Sequence, residues 1–179
     1  MIVEETELAG AYVLEVERRE DDRGFFARVW CADELAAADL DTRVSQINVG
    51  FNLRRGTLRG LHFQRAPHAE VKLVRCTAGA VYDVIVDLRP ESPTHRRWVG
   101  VELTAENHRQ LYVPAGFAHG YQTLTDSAEI SYLTSVPYAP ESSTGVRFDD
   151  PAFGIGWPEP VTVISDADRA WPDYREESQ

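Results

Sequence analysis

The chain has 179 residues, of which 43% are hydrophobic and 26% charged, and its formal net charge at pH 7 is −11. This length and composition predict a single domain over residues 1–179 with its own hydrophobic core and a flexible tail from about residue 172. The strong negative charge disfavours binding to nucleic acid or to an anionic membrane surface, so neither is expected as a partner.

The predicted elements are almost all short β-strands separated by turn residues. Only residues 32–38 favour a helix, of about two turns. Predicted strands cover residues 12–16, 25–30, 44–53, 57–63, 71–77, 80–88, 98–103, 110–113, 120–124 and 129–135. Many short strands at this spacing indicate an all-β sandwich or jelly roll, and the segment after residue 150, rich in Pro and Trp, predicts an irregular covering layer.

The N-terminus, the apolar runs and the cysteines predict where in the cell the protein is found. Residues 1–5 hold neither a basic region nor an apolar stretch, so no signal peptide is expected. Acids interrupt the longest apolar runs, so no segment is expected to span a bilayer. Cys31 and Cys76 are too few for a disulfide framework and favour reduced thiols in a cytoplasmic protein.

The basic residues are unevenly distributed and almost uniformly arginine. Lys72 is the only lysine among 18 basic residues. A lysine offers a compact ammonium group that a guanidinium cannot replace, although one lysine can also survive by chance. Between residues 54 and 75, six lysine or arginine side chains stand against one acid, Glu70, which suits either an anionic ligand or a patch of surface salt bridges.

One candidate site lies in the segment Arg59-Gly60-Leu61-His62-Phe63-Gln64. Alternation along a strand predicts that His62 and Gln64 share one face and that Leu61 and Phe63 share the other. An antiparallel return of the next strand is expected to bring Lys72 near His62. A histidine hydrogen-bonded within the core is the alternative for His62 taken alone.

A second candidate segment, Pro114-Ala115-Gly116-Phe117-Ala118-His119-Gly120, resembles the second histidine motif of the cupins. In those jelly rolls this histidine joins a His-x-His pair and a glutamate on a metal. Here Gln64 replaces the second histidine of the pair, which leaves only His62, His119 and Glu70 as a poor ligand set. We therefore expect no metal, and a metal-dependent cupin enzyme remains the alternative function.

A longer set of ordered segments is similar to the dTDP-4-dehydrorhamnose 3,5-epimerase family, from about residue 1 to 172. The segments are residues 22–26, 46–48, 58–64, 72–74, 81–89, 92–94, 112–114, 116–120, 131–132, 138–140, 149–151, 157–158 and 165–168. Any one of them is weak evidence, but all of them in order are specific. The resemblance implies a cupin-type jelly-roll β-sandwich with one short helix.

The resemblance also implies a role for each matching residue. His62 corresponds to the general base, Asp168 to the carboxylate that pairs with it, Tyr132 to the general acid on the opposite face, and Lys72 to the cation near the ketone oxygen. The remaining matches are implied substrate contacts: Arg23 at the nucleotide diphosphate, together with Phe26, Gln46, Asn48, Arg59, His119 and Tyr138 at the nucleotide or sugar. The family forms homodimers in which an N-terminal segment reaches the partner's site, so Arg23 and Phe26 are expected to act in trans.

The implied activity is inversion of C3, C5 or both in a nucleotide-linked 4-keto-6-deoxyhexose, within deoxysugar biosynthesis and without a cofactor. The ketone acidifies the neighbouring C–H bonds, and a neutral imidazole is a suitable base near pH 7. A lysine ammonium can stabilise the charge that develops on the ketone oxygen. A tyrosine is protonated at neutral pH and can return a proton to the other face.

Three positions depart from the usual pattern of the family. Arg28 and Ser143 each stand where many members have Glu, and Ala167 stands where many have Lys. We expect these positions to lie near the nucleotide, which suggests a changed sugar nucleotide or action at only one carbon. A protein that keeps the pocket but only binds nucleotide sugars is a further alternative.

Overall fold

The computed structural model describes residues 1–175, and almost all of its regular structure is strand. The strands are β1 (Ile2–Glu5), β2 (Tyr12–Glu15), β3 (Arg19–Asp21), β4 (Gly24–Phe26), β5 (Gln46–Asn52), β6 (Leu58–Gln64), β7 (Lys72–Ala78), β8 (Ala80–Asp87), β9 (Trp98–Thr104), β10 (Gln110–Val113), β11 (Phe117–Thr123), β12 (Ala128–Thr134) and β13 (Ser143–Gly145). The helices are α1 (Ala32–Ala37) and α2 (Asp166–Arg169).

Two antiparallel sheets form the body of the molecule. The larger has six strands in the order β1-β2-β10-β7-β12-β5, and the smaller has five in the order β13-β6-β11-β8-β9. Strands β3 and β4 form a separate hairpin. The all-β sandwich predicted from the strand spacing is confirmed.

The core follows from alternation along these strands. Side chains such as Val74, Ile85 and Ile130 point from both sheets into one buried cluster, which is the interior of the sandwich. Leu61 faces outward from β6 into a second cluster that the segment after residue 145 covers. Phe63 packs against the same cluster, so the predicted division of faces between Leu61 and Phe63 on one side and His62 on the other is confirmed.

Some predicted elements need correction. The strand predicted over residues 25–30 ends at Phe26, because its only partner, β3, is three residues long. Three short strands, β1, β3 and β13, were missed, because charged residues or Ser and Gly dominate them. A second helix, α2, was missed within the segment predicted to be irregular.

His62 and Lys72 are close to each other, as expected, but not because their strands are paired. Strand β7 does not return beside β6: β6 pairs with β11 and β13, whereas β7 pairs with β10 and β12. The two residues therefore face each other across the sandwich, from different sheets. The seven residues between β6 and β7 cross from one sheet to the other, and they include Pro67, which suits a loop.

The C-terminal segment packs against the outer face of the five-stranded sheet. Tyr174 lies within the segment expected to be flexible, yet its ring contacts Phe153 and its hydroxyl is 3.0 Å from Nε2 of His95. Residues 176–179 of that predicted tail lie outside the described residues. Within residues 1–175, no helix has the length and hydropathy needed to cross a membrane.

Candidate active site

A cavity of about 690 Å³ lies between the open edges of the two sheets. This volume is typical of sites for small organic ligands. Its walls include many of the predicted site residues: Gln46, Asn48, His62, Lys72, Tyr132, Tyr138 and Asp168. The sequence-derived site is therefore brought together by the fold, from strands far apart along the chain.

A larger cavity, of about 820 Å³, lies on the other side of β6, beneath the C-terminal segment. Phe63 contributes to the wall of both cavities. None of the predicted site residues lines the larger one, so the smaller cavity is the candidate site.

An irregularity in β6 shapes the wall around His62. The register pairs His62 with His119 and Arg59 with Tyr121, so it shifts by one residue between these pairs. His119 and Tyr121 share a face of β11, and Arg59 and His62 therefore share a face although they are three residues apart. Gly60 lies at the shift with φ of +119°, and a Cβ there would meet the backbone of Gly120 at 2.6 Å, so glycine is required.

His62 is paired with Asp168, as predicted from the sequence. Its Nε2 lies 2.5 Å from Oδ1 of Asp168, and Gly60 donates its backbone N–H to Oδ2 at 3.3 Å. Burial favours a raised pKa for the Asp168 carboxyl, but hydrogen bonds from His62 and Gly60 outweigh it, and the net pKa is lowered. An ionised Asp168 fixes the proton of the imidazole on Nε2 and leaves Nδ1 free to accept another.

Helix α2 holds the carboxylate in place. Ser165 caps the helix, and its Oγ accepts the backbone N–H of Asp168 at 3.0 Å. The Asp168 side chain is 8% exposed, whereas that of His62 is 44% exposed. The carboxylate is thus shielded and the imidazole remains accessible from the cavity.

Tyr132 faces the cavity from the opposite sheet. It lies on β12, directly opposite Asn48 of β5 and Val74 of β7. Burial, and then the nearby Glu70 carboxylate, raise the pKa of the Tyr132 phenol, while Arg59 acts in the opposite direction. The phenol is therefore a neutral hydroxyl at physiological pH, on the side of the cavity away from His62.

Lys72 lies at the start of β7 and is almost entirely buried. Its ammonium group is 2.9 Å from a carboxylate oxygen of Glu70 and 3.4 Å from the backbone oxygen of His62. The only lysine of the chain therefore sits in the cavity wall, as its isolation in the sequence suggested. It adds a positive charge next to the backbone of His62.

Gln64 has a bracing role at the position where cupins carry their second histidine. Its amide donates to the backbone oxygens of His68 and Pro137 at 3.0 and 3.2 Å and accepts the backbone N–H of Ala139 at 2.6 Å. Gln46 accepts the backbone N–H of Tyr138 at 3.0 Å. Together the two glutamines hold the loop that carries Tyr138 at the rim of the cavity.

The donor set does not fit a metal. His62 is engaged by Asp168 and Glu70 by Lys72, and Nε2 of His119 is 2.7 Å from the Asp83 carboxylate. Across residues 1–175, no three side chains of His, Cys, Asp or Glu are grouped as metal ligands.

Four predicted substrate-contacting residues, Arg23, Phe26, Arg59 and His119, are not in the cavity lining. Arg23 and Phe26 lie in the β3–β4 segment with exposed side chains, and Arg23 pairs only with its neighbour Asp21 among the described contacts. Arg59 donates to Asn52 at 2.8 Å, next to the cavity. His119 is buried and lies directly opposite His62 on β11, outside the cavity lining.

Of the three positions that depart from the family pattern, two line the cavity and one does not. Ser143 and Ala167 line the cavity and bring no charge to it. Arg28 lies elsewhere and pairs with Glu34 of α1 at 2.6 Å.

The chain is similar to known proteins over nearly its whole length. A family model for dTDP-4-dehydrorhamnose 3,5-epimerase matches residues 5–176. A protein of that name from Sinorhizobium fredii is 46% identical over 157 residues, which is 87% of this chain and 80% of the relative. The chain belongs to the dTDP-4-dehydrorhamnose 3,5-epimerase family. It is an epimerase and hence an isomerase.

Solved structures of the family superpose closely. The dTDP-4-dehydrorhamnose 3,5-epimerase of Bacillus anthracis, with TDP and PPi bound, is 42% identical with a TM-score of 0.93, over 97% of this chain and 99% of that one. The enzyme of Legionella pneumophila, in complex with dTDP-4-keto-L-rhamnose, is 35% identical with a TM-score of 0.87, over 97% and 98%. The predicted cupin-type jelly roll is thereby confirmed.

Within this epimerase fold, two wall residues were missed by the sequence analysis. Trp171 packs its ring edge-on against the His62 ring, with centroids 6.3 Å apart, and Gly145 leaves the space that the indole occupies. Glu70 was counted only as an isolated acid or a poor metal ligand. No local pattern marks Trp171, because it reaches the cavity through a long-range contact with His62, whereas the place of Glu70 two residues before Lys72 could have indicated it.

Proposed function

We propose that this epimerase inverts C3, C5 or both in a dTDP-linked 4-keto-6-deoxyhexose through an enolate intermediate. The observation that carries the proposal is the placement of His62 and Tyr132 on different sheets, across one cavity. A sugar ring between them presents one face to a base and the other to an acid. Inversion requires such an arrangement, since the proton must leave one face and return to the other.

The residues divide the work as follows. Nδ1 of His62 takes the proton beside the ketone, and Asp168 stabilises the imidazolium that forms. The ammonium of Lys72 stabilises the negative charge on the ketone oxygen. Tyr132 then donates its phenolic proton to the opposite face of the enolate. Gln46, Asn48, Arg59, His119 and Tyr138 hold the sugar and nucleotide.

The nucleotide diphosphate needs more positive charge than this cavity offers by itself. Lys72 is its only cationic Lys or Arg wall residue, and Glu70 already pairs with it. We propose that the partner's Arg23 supplies the missing cation, with Phe26 beside it, in a homodimer that exchanges N-terminal segments. Arginine suits a diphosphate because its donors bind two oxygens at once.

The surface of β5 supports the dimer. This edge strand turns Gln46 and Asn48 inward to the cavity, whereas Ile47, Val49 and Phe51 point outward and are 69%, 64% and 49% exposed. An apolar stripe on an edge strand favours pairing with another chain. Because the same strand lines the cavity, a partner there lies close enough to contribute to the site.

We also propose that residues 1–179 act as one catalytic unit in the cytoplasm, in deoxysugar biosynthesis. The epimerase family model spans nearly the whole chain, and both cysteines are free thiols, as in a reducing compartment. Neither the cavity nor the mechanism calls for a cofactor.

The proposed activity predicts proton exchange with solvent. In heavy water, the wild-type protein is expected to incorporate deuterium at C3, C5 or both of dTDP-4-keto-6-deoxyglucose, observed by proton NMR. The CDP, GDP and UDP analogues serve as comparisons, because Ser143 and Ala167 leave the wall uncharged where the nucleotide is expected. Absence of exchange with all four nucleotides contradicts the proposal.

Segment exchange predicts complementation between two defective variants. Arg23→Ala and His62→Asn should each be nearly inactive alone at low substrate concentration. In a mixed dimer, one cavity has an intact His62 and receives an intact Arg23 from its partner. Co-expression should therefore restore about one quarter of wild-type activity, because about half of the dimers are mixed and each has one good site. If Arg23 serves its own cavity, no activity returns.

A further inference from the structure

Glu70 is a buried carboxylate in a cavity that is to receive an anionic ligand. Its side chain is 9% exposed, and that of its partner Lys72 is 10% exposed. Both line the cavity together with Tyr132. The cavity already contains the Asp168 carboxylate, and the negative charge of Glu70 repels both a diphosphate and an enolate. This repulsion disfavours ligand binding, so we expect Glu70 to have a function that compensates for it.

One effect of Glu70 is to orient the ammonium group of Lys72. The ammonium has three N–H donors. One is directed to Glu70 at 2.9 Å and one to the backbone oxygen of His62 at 3.4 Å. The third remains available for a ligand oxygen, and its direction is set by the other two.

A second effect of Glu70 falls on Tyr132. Burial is the larger cause of the raised pKa of this phenol, and the Glu70 carboxylate raises it further. A phenol that gives up its proton to an enolate becomes a tyrosinate, and a nearby carboxylate disfavours that anion. The charged or titratable groups that act on Tyr132 or line the same cavity are Glu70, Lys72, Arg59, His62, Asp168, Tyr121 and Tyr138. Two of these are carboxylates: Asp168 is paired with His62, and Glu70 is the one that raises the pKa of Tyr132.

We propose that Glu70 is a positioning residue of the proton-transfer site, which aims the ammonium of Lys72 and returns the phenol of Tyr132 to its protonated form after each turnover. The inference rests on the proposed function. Glu70 does not touch the sugar; it acts through its two neighbours. The proton that restores Tyr132 comes from solvent, and the proton taken by His62 leaves to solvent, so the cycle balances.

The test is the pH dependence of epimerisation in Glu70→Gln, which keeps the shape of the side chain and removes its charge. The alkaline limb of the kcat profile is expected to move to lower pH, by about 0.5 to 1 unit, because the phenol ionises more easily without the carboxylate. Ultraviolet difference absorbance of tyrosinate should show the same displacement, and it should vanish when Tyr132→Phe is added.

Two further variants make the result decisive. Glu129→Gln removes the same charge from the same strand as Tyr132, three residues away, and keeps the oxygen that accepts from Thr77 at 2.7 Å; its profile should match the wild type. Glu70→Asp keeps the negative charge but moves it one methylene further from Lys72 and Tyr132. Its alkaline limb should be displaced in the same direction as in Glu70→Gln, but by less. It replaces the Gln variant if that variant does not fold.

The outcomes separate the two proposals. An active wild type whose alkaline limb is unchanged in Glu70→Gln, or is displaced equally in Glu129→Gln, overturns the role of Glu70 and leaves the epimerase mechanism intact. A wild type that exchanges no proton with any nucleotide sugar overturns both.

Discussion

His62→Asn is expected to lower kcat for epimerisation by about 10³-fold, within the range usual for loss of a general base. Asparagine cannot accept a proton near neutral pH. Its amide can still donate to Asp168, so the buried carboxylate is not left without a partner and the fold should be retained. Deuterium incorporation, measured by NMR, should fall by the same factor as epimerisation, since both begin with removal of the same proton.

The control for this variant is His95→Asn, the same chemical change at a distance from the cavity. His95 contacts Tyr174 beneath the C-terminal segment and has no place in the proposed mechanism. It should keep wild-type kcat. Binding of dTDP by His62→Asn, measured by calorimetry, should stay within about threefold of wild type, because the imidazole contacts the sugar rather than the nucleotide. Exchange that persists in His62→Asn assigns the base elsewhere.

Much of the sandwich and part of the site could be predicted from alternation along single strands. Leu61 and Phe63 share one face of β6, and His62 and Gln64 share the other, as expected. These predictions succeed because each depends only on the two-residue period of a strand. The pairing of His62 with Asp168 and the role of Tyr132 needed the family resemblance, since residues 106 apart reveal no pairing by local pattern.

The relation between strands could not be predicted in the same way. The sequence gives no indication that β6 and β7 belong to different sheets, because the register between strands depends on contacts across the whole fold. The irregularity in β6 has the same origin: Gly60 is visible as a glycine, but the close approach of Gly120 that requires it is not. This irregularity places Arg59 beside His62 instead of on the other face.

Strand β5 shows why polarity alone misleads at a functional site. Its alternation of Gln46, Ile47, Asn48 and Val49 is regular, but the polar set faces inward and the apolar set faces solvent. A pattern read with apolar residues inside assigns the faces the wrong way round. The faces of β5 are reversed because a polar cavity lies on its inner side and, as we propose, a second subunit covers its outer side.

Tyr132→Phe is expected to separate proton exchange from inversion. His62 and Lys72 remain, so the proton beside the ketone can still leave and a deuteron can return from the base to the same face. The rate of inversion should fall by about 10² to 10⁴-fold, the usual contribution of a general acid. Deuterium incorporation without inversion should fall far less.

The ratio of the two rates, followed in one NMR experiment, is therefore the measurement, and it does not depend on the amount of folded protein. Tyr82→Phe is the matched control, because the Tyr82 ring packs over Gly100 on the outer face of the sheet and should leave the ratio unchanged. If exchange and inversion decline together in Tyr132→Phe, the phenol is needed for enolate formation itself. In that case the opposite-face donor is another group, and the division of labour between the two sheets must be reassigned.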